Sequence, residues 1–93
     1  MRLAEEERSA ICNVIREADG EASIYLFGSR VNDSAKGGDI DLLVLSRKIS
    51  LMVKLAILGK LHQILGERKI DIAVYQDDSK PFPRMVMQEG IRL

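Results

Sequence analysis

Three aspartates carry the chemistry most readily read from this sequence. Asp39 and Asp41 stand one residue apart at the start of an apolar run, so on a strand both side chains leave the same face. Their Cα atoms would lie roughly 6.6–7 Å apart at the rise of an extended chain. Asp71 stands early in a second such run, between Ile70 and Ile72, neighbours expected to make its surroundings partly apolar and to raise its pKa. If the two strands are adjacent, at about 4.8 Å, three carboxylates converge on a small volume and repel one another. Divalent cations resolve that conflict. Carboxylate oxygens meet magnesium at roughly 2.0–2.1 Å, and two such ions about 3.5–4 Å apart suit phosphoryl or nucleotidyl transfer.

An isolated Asp-x-Asp entering a strand is more often merely solvated, but the segment before it changes the balance. Gly28-Ser29-Arg30 directly follows an apolar strand. Glycine permits a tight turn and a close backbone approach to an anion. Ser29 offers a hydroxyl and an amide, a following helical turn would add partial positive charge, and Arg30 can make charge-assisted bonds to phosphate. The glycine-lysine-Ser/Thr ending of a Walker-type loop is missing. Gly-Ser-Arg alone is weak, since many turns contain it. Its place between the strand and the acids gives it weight.

The elements that must hold these residues follow from periodicity. Residues 3–18 read as an amphipathic helix with Leu3, Ala10, Ile11, Val14, Ile15 and Ala18 inward, stopped by Asp19-Gly20. Residues 22–27 read as a buried strand, 28–38 as a loop, and 39–45 as a second strand covered on both faces. Ser50 caps a helix closed by Gly66, with Leu51, Leu55, Leu58, Leu61, Ile64 and Leu65 as its expected apolar stripe. Residues 69–75 alternate as a third strand, with Ile70, Ile72 and Val74 on one side and Asp71 and Ala73 on the other. A short helix over 84–89, started by Pro83 and ended by Gly90, precedes the stub Ile91 to Leu93. The pattern is one layer of sheet with helices packed on it.

Taken together, strand, Gly28-Ser29, nine residues ending in Gly37-Gly38, Asp39-x-Asp41, helix, and a strand bearing Asp71 make a composite. Through "YLFGSR", "GGDIDLLVL" and "KIDIAVY" it resembles the minimal nucleotidyltransferases of the DNA polymerase β superfamily, over more than half the chain. The closing Gln88-Glu89-Gly90-Ile91 is similar to the usual end of such domains. The resemblance implies an α+β nucleotidyltransferase core, a mixed sheet of three to four strands with helices packed on it, over residues 1–93 as one domain. It implies that Gly28 and Ser29 hold the triphosphate of ATP or another nucleoside triphosphate, beside the phosphate contact that the chemistry of Arg30 offers. Asp39 and Asp41 would bind two magnesium ions, and Asp71 would complete the metal site near the attacking group, where its apolar sequence neighbours make it the candidate to take the acceptor proton. It further implies an antitoxin paired with an all-helical HEPN-domain toxin from a neighbouring gene, in a hetero-oligomer, with AMP attached to a toxin tyrosine.

Composition sets the remaining bounds. The 93 residues are 46% hydrophobic and 30% charged, which excludes disorder, collagen and a disulfide scaffold. One cysteine, Cys12, forms no internal disulfide, and with no secretory segment in view a reducing cytoplasm is expected. No apolar run approaches the length that spans a bilayer. Zero net charge argues against general nucleic-acid affinity, which rests on Lys and Arg contacts to phosphate. Charge is nevertheless uneven: residues 1–21 carry −3 and residues 46–70 carry +5. Solvated helix faces are the ordinary reading of both. The functional reading makes them surfaces that orient a protein partner. His62, Tyr25, Tyr75 and the turn cluster Asn32-Asp33-Ser34 read as surface, packing and loop chemistry, and Met52, Met85 and Met87 as gap-filling or interface residues. Two other functions stay open at this point: an antitoxin that acts by binding alone, and an enzyme that adds nucleotides to RNA ends.

Overall fold

Helix α1 begins where three consecutive glutamates, Glu5, Glu6 and Glu7, place negative charge against the positive end of the helix dipole. In the computed structural model, which describes residues 3–28, 39–66 and 68–93, α1 spans Glu5–Ala18. Ala4 has no side chain to cap it; instead the Glu7 carboxylate accepts from the Ala4 amide at 2.9 Å. Ile11, Cys12, Val14 and Ile15 are buried on its inner face, whereas Ala18 is exposed rather than part of the expected stripe. The chain then turns on Asp19. One carboxylate oxygen accepts from the Glu21 amide at 3.0 Å and the other from the Ser46 hydroxyl at 2.6 Å. Ser46 Oγ itself accepts from the amides of Lys48 and Ile49, both at 3.1 Å. Both side chains are buried, so this small network pins the turn after α1 to the turn before the next helix.

The strands are β1 (Ser23–Phe27), β2 (Ile40–Leu45), β3 (Ile70–Tyr75) and β4 (Ile91–Arg92), in the sheet order β3-β2-β1-β4. β1 pairs antiparallel with β2 and β4, and β2 pairs parallel with β3. The parallel pair requires a crossover, and α2 (Leu51–Leu65) supplies it. Its ends are those the sequence marks. The Ser50 hydroxyl accepts from the Val53 amide at 3.2 Å, and Gly66 takes a positive φ of 83° as its amide donates to the His62 carbonyl. The sheet is mixed and the fold α+β, as expected.

Alternation along the strands makes two cores. Ile24, Leu26, Ile40, Leu42, Val44, Ile70 and Ile72 face α1 and α2. Tyr25 and Leu43 face the other way, against Val86 of α3 (Pro81–Glu89). β2 is therefore covered on both faces. The last helix starts earlier than the sequence suggests, at Pro81, with Pro83 inside the first turn where no amide is required for the helix ladder. The stub pairs with β1 as β4, the Leu93 amide donates to the Ile24 carbonyl at 2.8 Å, and Arg8 Nη2 donates to the Leu93 carbonyl at 2.7 Å.

The apolar stripe of α2 needs correction. Ile57 and Leu61 are its buried residues, and Val53, Leu58 and Leu65 pack partly against the core. Leu51, Leu55 and Ile64, expected inside, are 69%, 53% and 56% exposed. The helix is apolar nearly all round, so spacing alone could not select the buried face.

Candidate active site

The three aspartates gather at one end of the sheet, where β2 and β3 begin. Parallel pairing sets Asp41 opposite Asp71, and antiparallel pairing sets Phe27 opposite Asp41. Opposed residues share a face, so the row Phe27, Asp41, Asp71 runs across three strands on the α3 side of the sheet. Asp39 lies just before β2, exposed. Isoleucines flanking Asp71 point to the opposite face, where both are buried. Asp71 itself is 60% exposed, so the apolar enclosure expected for it is not present.

The half-buried acid of the row is Asp41. Burial pushes its carboxyl above the ordinary carboxylate range, and the Asp71 and Asp39 charges push it the same way, against the opposing pull of Lys69. Lys69 Nζ stands 4.0 Å from Asp71 Oδ2, an ion pair at the entrance to β3. Lys69 was not among the residues singled out from sequence; its position two before Asp71, hence on the same strand face, was the available signal.

Gly28 closes the other side of Asp41. It has a positive φ of 77°, and a Cβ built on it would lie 2.5 Å from Asp41 Oδ2. Only a residue without a side chain fits that turn and that approach. Aromatic packing backs the row: the Phe82 ring of α3 meets Phe27 edge-on at 5.7 Å between centroids and lies 5.7 Å from Tyr75. Ser29, Arg30, Gly37 and Gly38 lie outside the described residues, as does the Asn32 to Ser34 cluster.

Hard carboxylate oxygens that repel one another suit a hard divalent cation in their donor chemistry. Among the described residues, however, no group of three His, Cys, Asp or Glu side chains stands ready around one ion position. His62 is exposed and Cys12 buried on α1, both away from the acidic row. No described helix is long and apolar enough to cross a membrane.

No curated protein sequence matches the chain. Among solved structures, a chain from a crystal structure of a mutant of the toxin-antitoxin MntA-HpeT is similar to it. That match has a TM-score of 0.69 and 24% identity and covers 97% of this chain and 71% of that one. At that identity the likeness shows the shared fold. The family described as "Polymerase beta, Nucleotidyltransferase" matches residues 10–93, a span that includes the whole sheet, the acidic row and Gly28. The chain belongs to the polymerase beta nucleotidyltransferase family.

Proposed function

We propose that this chain is an antitoxin that transfers a nucleoside monophosphate, AMP, from ATP to a hydroxyl of its toxin partner. The single observation that carries the reading is the register pairing of Asp41 with Asp71, with Gly28 backbone packed against the Asp41 carboxylate. It joins a carboxylate pair to a glycine turn at which a triphosphate can approach the main chain. The toxin-antitoxin setting of the structural neighbour supports the pairing with a toxin.

In this reading Asp39, Asp41 and Asp71 would hold two magnesium ions. Bound magnesium supplies charge neutralisation on the triphosphate and on the departing pyrophosphate. Gly28 keeps the turn open for the phosphates, and Ser29 and Arg30 continue that cradle. Asp71, a solvent-facing acid on β3, meets the acceptor. The acceptor oxygen forms a bond to the α-phosphorus, the bond to pyrophosphate breaks, and the acceptor proton passes to the Asp71 carboxylate. The toxin is the all-helical, HEPN-type product of a neighbouring gene, held in a hetero-oligomer.

A second reading has its own support. Three carboxylates that do not stand around one ion position suit an antitoxin that acts by binding alone. One experiment separates the two. The purified chain is incubated with magnesium, each nucleoside triphosphate and the neighbouring gene product, and the partner is weighed by mass spectrometry. A partner heavier by one or more AMP units, absent with Asp41→Asn, bears out transfer. An unmodified but neutralised partner overturns it in favour of binding alone, and extension of added RNA would overturn both.

A further inference from the structure

The outward face of α2 is apolar, and among the described residues no element covers it. Leu51, Met52 and Leu55 are 69%, 75% and 53% exposed, and Ala56 and Gly59 continue the same face one and two turns on. Isolated exposed apolar residues need no explanation, but a contiguous helix face of them does. Gly59 sharpens the point. It sits inside the helix, where glycine is the poorest residue short of proline, and a Cβ there would meet nothing within 4 Å. Among the described residues nothing uses the space it leaves.

The helix and the turn before it carry charge of one sign. From residue 42 to residue 66 the chain holds no Asp or Glu, while Lys54 and Lys60 flank the apolar stripe and Arg47 and Lys48 lie at its N-terminal end. Lys60 reaches Glu17 of α1 at 3.6 Å, and Arg47 reaches Asp77 at 3.5 Å, both pairs largely in solvent. A two-fold contact between copies of this face would press like charges together. A cleft of about 310 Å³ opens beside the stripe, lined by Leu51 and Lys54 from α2 and by Tyr75 and Gln76 from the end of β3.

We infer that this face docks a helix of the protein partner, one with an apolar centre and an acidic rim, with Gly59 and Ala56 forming the shallow groove in which the two helices approach closely. The inference rests on reading the chain as one half of a two-protein pair. A stable contact takes about 800 Å² from each side, and the described surface totals 5561 Å². The acidic row lies at the opposite end of β2 and β3 from the N-terminus of α2, so docking here leaves the nucleotide site open.

The test uses Gly59→Leu, which fills empty space in a helix and is expected to fold with a melting temperature no lower than wild type. Affinity for the neighbouring gene product is measured by calorimetry at two salt concentrations, alongside Leu55→Glu and Lys54→Glu. Both apolar-face variants should lose about 30-fold or more, the size of a hot-spot loss, and Lys54→Glu should weaken the salt dependence. Unchanged affinity in a folded Gly59→Leu protein overturns the docking face while leaving the paired reading intact. Failure of the wild type to bind the partner overturns both. Self-association of the wild type, or its binding to anionic vesicles, abolished by Leu55→Glu would assign the face to a second copy or to a lipid surface and overturn the inference.

Discussion

Gly28 and Asp41 are in such close apposition that a single added methyl group on the glycine would come within 2.5 Å of Asp41 Oδ2. Two independent demands meet there, a left-handed backbone and a vacant side-chain position. Gly28→Ala should therefore destabilise the protein by roughly 1–2 kcal/mol for the backbone alone. Displacement of the Asp41 carboxylate adds to that. Gly28→Val should be worse on both counts, and triphosphate binding should fall with each. Thermal melts and nucleotide titration of the two variants check this; wild-type stability in Gly28→Ala would contradict the apposition.

Asp41→Asn should separate function from stability. The Asp41 pKa is raised in the folded chain, by burial and then by Asp71 and Asp39, so its ionised form is less favourable there than in the unfolded chain. The variant should therefore melt higher than the metal-free wild type at neutral pH. As pH falls through the raised pKa the wild type takes up a proton and the gap narrows, closing below the ordinary carboxylate value of 3.8. Transfer, where the wild type shows it, should be lost at every pH. Parallel melting curves from pH 7 to pH 3 provide the check.

The limits of α2 were legible because Ser50 and Gly66 act locally, one by its hydroxyl and one by its positive φ. The start of α3 was not, because Pro81 and Pro83 both suit a first turn and sequence does not choose between them. The acids could be paired in principle but not in register. That Asp41 faces Asp71 depends on β2 and β3 being parallel neighbours, a long-range outcome of the α2 crossover. The environment of Asp71 was misread for a related reason. Flanking isoleucines on a strand point to the other face, so sequence neighbours are not spatial ones. Gly28 was legible as a turn, whereas its contact with Asp41 required the fold.

Acid should loosen the molecule at the Asp19–Ser46 clamp. The Ser46 hydroxyl, the Glu21 amide and the Lys48 charge hold the Asp19 carboxyl below its ordinary 3.8 despite burial. Its folded pKa is thus lower than its unfolded one. The stabilisation it gives is complete above the ordinary value and is lost as pH drops through the lowered one. Ser46→Ala removes the donor to Asp19 and the acceptor for two amides at once. It should lower the melting temperature at neutral pH by several degrees, and the difference should shrink in acid. A constant difference across pH would mean that Asp19 draws nothing from this hydroxyl.

One substitution at two glycines should give opposite signs. Gly59 stands in the middle of α2 with nothing within 4 Å of an added Cβ. Gly59→Ala removes a poor helix former at no steric expense, and should stabilise the free protein by about 1 kcal/mol, a rise of about 4–8 °C in Tm for a domain of this size. Gly90 ends α3 and leads into β4, and there an added Cβ would lie 2.6 Å from the Leu26 carbonyl oxygen and 2.7 Å from that of Val86. Both obstacles are backbone and cannot swing aside. The Gly90 amide also donates to Val86 at 2.7 Å, so the helix end and the strand cannot part without losing that bond. Gly90→Ala must push α3 from β1 or lift β4 off the sheet edge, and overpacking of that kind costs about 1–3 kcal/mol. Because β4 leads into Leu93, whose carbonyl accepts from Arg8, the loss should also appear as faster amide exchange at Ile91 to Leu93. Melts of the two variants decide the matter: a stable Gly90→Ala would mean that this end of the sheet is not closed as described, and a destabilised Gly59→Ala would mean that the outer face of α2 is already covered.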